Sequence, residues 1–174
     1  MLLVSCKKDD NNTDEKKDDN KDEFYFSAKI DGVEFNADMY SCECTNAFQF
    51  GTEAYIHSGV LVLRGKKNTK KADEGEIILK LGGAVEVKTY PLEPGKNGPG
   101  ASYMLGQSMW AAGGEVVGYG ASNPIYSTGT GSITITSHKG DIVEGTFEIN
   151  GANYQDGTKK TITDGKFRMK YRTI

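Results

Sequence analysis

Cys42-Glu43-Cys44 is the sharpest grouping of reactive side chains in the sequence. In an extended strand, residues two apart project to one face with Cα atoms about 6.6 Å apart. That is close to the upper limit for a disulfide, about 6.8 Å, so a direct bridge needs a local turn. A structural or disulfide role is the first expectation for the pair. The alternative is a metal, but zinc takes about four ligands. Cys42, Cys44 and His57 supply three, and nothing in their spacing brings them together. They are weak metal candidates, and no cofactor is expected.

Acid–base chemistry finds no better footing. Glycoside hydrolysis needs two carboxyls about 5–5.5 Å apart, or about 6.5–9.5 Å for inversion. Glu144 and Glu148 share a strand face but stand about 13 Å apart at about 3.3 Å per residue. His57-Ser58 and His138 lack a nucleophile elbow or a third partner. No catalytic residue is assigned, and a metal-dependent or hydrolytic enzyme is the remote alternative. Binding suits the residues better. Tyr103, Trp110, Tyr119 and Tyr126 fall in a region rich in Gly, Ser and Asn, where amphipathic rings stack on a sugar or a partner protein. Capping the ends of a core is the commoner fate of such rings. Lys66, Lys67, Lys70 and Lys71 form a basic loop suited to acidic glycans or phosphate groups, or else a solvated hairpin tip.

The elements that must position these residues are strands. Phe24, Phe26, Ala28 and Ile30 alternate with Tyr25, Ser27 and Lys29, the period of two of a half-buried strand. Asp31-Gly32 then signals a two-residue type I′ hairpin. Its register pairs 30 with 33, 28 with 35, 26 with 37 and 24 with 39, apolar against apolar each time. Near the C-terminus, a His138-Lys139-Gly140 loop would pair Ile135 with Val143 and Ile133 with Gly145. After an Asn150–Lys160 turn region, Phe167, Met169 and Tyr171 alternate with Lys166, Arg168, Lys170 and Arg172. The last two strands thus carry an acidic and a basic outer face able to pair across the sheet. Between the two ends, Val60–Arg64, Glu76–Leu81, Val85–Tyr90 and Glu115–Tyr119 read as strands, with a loop over Pro91–Gly100. The stretch YMLGQSMWAAGG reads as a strand or as a short helix broken at Gly106. About nine or ten strands between Gly-rich turns predict an all-β domain, an antiparallel β-sandwich ahead of an up-and-down, lipocalin-like barrel.

Charge divides the chain more sharply than pattern does. Lys7–Glu23 has no apolar residue and holds five lysines and eight carboxylates, so the entire formal charge of −3 sits there. It buries too little apolar surface to offset the entropy of ordering and is expected to be a disordered tether. Residues 24–174 are neutral overall, without the basic excess that nucleic-acid binding requires. They suffice for one domain with its own core. The sequence has no run of about 18 apolar residues for a spanning helix, and three cysteines are too few for a disulfide scaffold.

Leu3-Val4-Ser5-Cys6 resembles the lipobox of bacterial lipoproteins. That resemblance implies that residues 1–6 are the remnant of a signal peptide whose basic and apolar leader is expected upstream. It also implies that Cys6 becomes the lipidated N-terminus and a membrane anchor. Lys7-Lys8-Asp9-Asp10 resembles the Lys/Asp-rich export signal of Bacteroidota lipoproteins, which implies an outer-membrane protein displayed at the cell surface. SAKIDGVEFNAD and GSITITSHKGDIVEGTFEINGANYQDGTKKTITDGKFRMKY resemble a family of small Bacteroidota lipoproteins of uncharacterised function. The resemblance implies an extracytoplasmic all-β domain and carries over no catalytic residue. The expectation is a lipid-anchored envelope protein that binds a glycan or an envelope protein without catalysis. The alternative is a structural or accessory subunit of an envelope complex.

Overall fold

The structure, a computed structural model, describes residues 24–37, 52–67, 75–95, 98–116 and 125–174. The expected tether, Cys6, Met39, Cys42, Cys44, Lys70, Lys71 and Tyr119 lie outside the described residues. What is described is all β, as the alternation predicts, with thirteen strands and no helix.

The first hairpin forms as expected. Strands β1 (Tyr25–Ile30) and β2 (Val33–Asn36) pair Ile30 with Val33 and Ala28 with Phe35. Asp31 and Gly32 hold φ of 49° and 82°, the two left-handed residues that a type I′ turn requires. Ser58-Gly59, with φ of 50° and 75°, closes β3 (Glu53–His57) onto β4 (Val60–Lys66) in the same way. β5 (Gly75–Gly82) follows, then β6 (Thr89–Leu92). The expected strand over Val85–Tyr90 is thus displaced toward the C-terminus, and Pro91 sits inside it. β6 is an edge strand paired only with β11, so the N–H that proline lacks falls where an edge tolerates it.

YMLGQSMWAAGG is a hairpin. β7 (Gly100–Leu105) and β8 (Ser108–Gly113) meet at a turn in which Gly106 has φ 59°. The short β9 (Glu115–Val116) and β10 (Ile125–Tyr126) pair with each other. β11 (Thr130–Lys139) and β12 (Ile142–Asn153) turn at Gly140-Asp141 rather than through a three-residue loop. Ile135 therefore opposes Gly145, Ile133 opposes Phe147, and His138 opposes Val143. Moving the turn shifts the pairing next to it, and a bulge between Ile135 and Ser137 takes back one residue of that shift and keeps the isoleucines facing inward. β13 (Lys159–Thr173) begins inside the expected turn region and runs for 15 residues. The expected ion pairing across the last two strands is present at Glu144–Arg168, 3.0 Å.

Ten of the strands form two layers around the long β13. One layer has the order β2-β1-β13-β12-β11-β6, and the other β3-β4-β5-β7-β8. They are hydrogen-bonded to each other at two corners. β13 pairs with β1 up to Arg168 and then in parallel with β3 from Tyr171. β12 pairs with β11 and then with β8 at Ala152 and Asn153. The result is a β-sandwich closed like a barrel. Its parallel pair and its non-sequential strand order set it apart from an up-and-down barrel.

Parity decides what lies between the layers. In the second layer, the inward row Ala54–Leu63–Leu79–Ala101–Ala112 is apolar across all five strands. In the first, Phe26, Phe147 and Phe167 form a buried trio with ring centroids 5.2, 6.4 and 6.3 Å apart. Phe26 crosses the gap and lies flat on Gly65 of β4, where an added Cβ would fall 2.2 Å from Phe26 Cδ1. Gly65→Ala should therefore destabilise the domain by about 1–3 kcal/mol through overpacking, read as a lower urea midpoint. An unchanged midpoint would show that the ring has room to move.

Candidate functional site

Tyr103 and Trp110 are core residues, which corrects their assignment as stacking platforms. They face each other across β7 and β8 with centroids 5.7 Å apart and are 7% and 8% exposed. Trp110 Nε1–H donates to Thr158 Oγ1 at 3.0 Å, and the Lys160 ammonium stands 5.6 Å from the indole centroid. Both are inward positions because β8 alternates Ser108, Trp110 and Ala112 toward the core. A ring in that register cannot reach a ligand without leaving the core. Lys160 is also the partner of Asp31, whose other oxygen accepts from the Thr161 amide. The Lys160 hydrogen bond, then that amide, hold the Asp31 carboxyl below its ordinary range. These contacts tie the first hairpin to β13.

The other expected site residues are dispersed. Lys66 and Lys67 stand at the base of their loop, where the Lys66 amide donates to Thr52 Oγ1 and the Lys67 amide to Gly75 O. Tyr126 is described only in backbone, within β10. His57 is exposed beside the Ser58-Gly59 turn. His138 is engaged at both ring nitrogens, Nδ1 at 3.1 Å from Val85 O and Nε2 at 2.9 Å from Tyr171 Oη. A carbonyl only accepts, so Nδ1 carries a proton. His138 thereby clasps the loop before β6 to the end of β13. Tyr90 clasps the same loop, its hydroxyl accepting from the Glu86 amide at 2.8 Å. Glu144 is held by Arg168 and Tyr25. Burial, then the Glu144 charge, push the Tyr25 phenol up from its ordinary range. Among the described residues, no three His, Cys, Asp or Glu side chains gather as a metal set.

An open groove of 470 Å³ lies beside β1, lined by Phe24, Tyr25, Asn36, Ala37 and Lys166 among others. Among the described residues that line it, Lys166 is the one charged side chain and no acid–base pair is present.

The stronger feature is a difference between the two outer faces. On the first layer one row crosses all six strands as Asn36–Ser27–Lys166–Thr146–Thr134–Thr89, polar throughout. The second layer carries Tyr55–Val62–Lys80 in one outward row and Glu53–Arg64–Ile78–Ser102–Ala111 in the next. A third row reads Lys66–Glu76–Met104–Met109. Tyr55, Val60, Ile78, Met104 and Met109 are half-buried on that face. Arg64 is clamped at its centre, with Nη1 2.9 Å from Glu53 and Nε 2.6 Å from Glu76. None of these apolar positions was a sequence-predicted site residue. The legible signal was VLVL in β4 and EIILK in β5, where apolar residues occupy both strand parities.

Trp110→Ala should lower stability by about 3–5 kcal/mol, seen as an early loss of cooperative unfolding in urea. A near-native midpoint would return Trp110 to the list of surface residues.

Residues 22–169 match the model of a family described as a domain of unknown function, DUF6252. No curated protein and no solved structure matches the chain. The family match spans all but the last few residues of the β-sandwich, and the chain accordingly belongs to the DUF6252 family.

Proposed function

We propose that this is a lipid-anchored protein of the bacterial outer membrane whose β-sandwich binds a protein partner, without catalysis, through the outer face of the β3-β4-β5-β7-β8 layer. One observation carries the binding claim: that face sets half-buried Tyr55, Ile78, Met104 and Met109 around the central Glu53–Arg64–Glu76 cluster, whereas a row of the opposite outer face is polar across all six strands. Tyr, Met and Arg are the residue types enriched at protein interfaces. The burial of Tyr103 and Trp110 favours a protein over a glycan, because sugar stacking needs an exposed ring. The anchor rests on Leu3-Val4-Ser5-Cys6 and the charged run after it. Two or more acyl chains hold a protein stably at a bilayer, and a charged spacer lifts the domain off the headgroups.

Two measurements check the reading. A photo-crosslinking amino acid at position 78 should give protein adducts in intact cells, and the same group at position 146 should not. No adduct from 78, or equal yield from both positions, would reject this face. Labelled palmitate should enter the full-length protein and vanish in Cys6→Ala, and equal labelling of the two would remove the anchor.

A further inference from the structure

We infer that the groove beside β1 is a binding site for a monosaccharide-sized acid, a hydroxylated ring that bears one carboxylate. It lies on the layer opposite the proposed protein-binding face and is independent of that face. Strand geometry explains why the surface is hollow here. Ser27 of β1 is flanked along its strand by Tyr25 and Lys29, and across the sheet by Asn36 of β2 and Lys166 of β13. Those neighbours stand about 6.7 Å away along the strand and about 4.8 Å away across it. One short side chain among four larger ones leaves a dent, and Ser27, Tyr25, Asn36 and Lys166 all line the groove. Phe26 lines it too but is 1% exposed, so the floor there is backbone. At 470 Å³ the groove falls within the range of about 300–1,000 Å³ typical of small-molecule sites.

The row Asn36–Ser27–Lys166 presents a carboxamide, a hydroxyl and an ammonium in succession. The ammonium only donates, whereas the hydroxyl and the carboxamide both donate and accept. That set matches one carboxylate beside sugar hydroxyls, which likewise donate and accept. The surrounding ion pairs set the number of carboxylates at one. Lys29 holds Asp164 at 2.8 Å, with Glu34 at 4.0 Å, and Arg168 holds Glu144 at 3.0 Å. Lys166 is exposed and makes no ion pair among the described residues. Lys29, Arg168 and Lys166 thus stand with Glu34, Asp164 and Glu144, three cations with three carboxylates. No excess field draws in a polyanion, and the one unengaged ammonium takes a single negative charge. Recognition rests on hydrogen bonds rather than ring stacking. The Tyr25 hydroxyl donates to Glu144, which holds its ring in place as a wall beside the row. Because the groove is open, the ligand keeps much of its water and the affinity is weak.

Titration of the isotope-labelled 174-residue chain, read from backbone amide chemical shifts, tests this with glucuronate, glucose and lactate as probes. Glucuronate should move the amides of Ser27, Asn36 and Lys166 along one saturating curve. Glucose lacks the carboxylate and lactate lacks the ring, so each should bind at least about tenfold more weakly. Lys166→Met keeps most of the stem and removes the charge. It should weaken glucuronate about tenfold and leave glucose unchanged. Ser27→Tyr fills the dent with a residue that suits a strand and should abolish the saturable shift. Thermal unfolding checks that both variants fold, and should Ser27→Tyr melt early, Lys166→Met decides alone. No saturable shift with glucuronate, or an affinity unchanged in the folded variants, overturns the site. Lactate binding as tightly as glucuronate overturns the sugar, and glucose binding as tightly overturns the role of Lys166. Neither variant touches the adducts expected from position 78, so this site and the protein-binding face fail separately.

Discussion

Backbone hydrogen bonding along one edge of β13 changes partner part-way along the strand, from β1 to β3, and one edge of β12 changes from β11 to β8. Buried amides and carbonyls must be paired, and this exchange keeps them paired while the chain passes from one layer to the other. It also fixes the parity of every neighbouring strand, because a slip by one residue would turn each inward side chain outward. Bulges fall in the strands that must bend, between Ser27 and Lys29, Ile135 and Ser137, and Phe147 and Ile149. Such bulges add local twist where a sheet has to curve. The phenylalanine trio and the bare backbone of Gly65 fill the space that this closure leaves.

Closure has a consequence for function. With aromatic side chains drawn into the core, Tyr103 and Trp110 are spent on packing, and His138 and Tyr90 on pinning the loop before β6. These four residues, of types that usually advertise chemistry, are structural. On a sheet face, backbone regularity presents side chains in rows, and specificity comes from which residues share a row. A flat, rigid, mixed apolar and charged surface suits another protein better than a small molecule, which binds in concave sites.

Much of the fold was legible. Asp31-Gly32 and the alternation on either side of it give the described part of the first hairpin in register, from Ile30 with Val33 to Phe26 with Ala37, since the turn type and the buried face demand the same pairing. Val60–Arg64, Glu76–Leu81 and the strand through Phe167, Met169 and Tyr171 were legible for the same reason. The second long hairpin was read out of register because Gly140 opens a two-residue turn with Asp141 rather than closing a three-residue loop, and a left-handed glycine suits either. Leu105-Gly106-Gln107-Ser108 hid a hairpin turn, Gly106 being equally suited to interrupting a helix. β3 was missed because Glu53–His57 is too short and mixed to alternate clearly.

By itself the sequence determined the all-β class of the domain and the contrast between the charged segment Lys7–Glu23 and the neutral chain that follows it. These follow from composition and from a period of two, which act over a few residues. Only the tertiary structure decided that β13 would be shared between two layers, that Trp110 would face inward, and that Val62, Ile78 and Met104 would share an outer face. Those outcomes depend on pairings between residues far apart in the chain, and local propensity carries no information about which distant strand a given edge will meet.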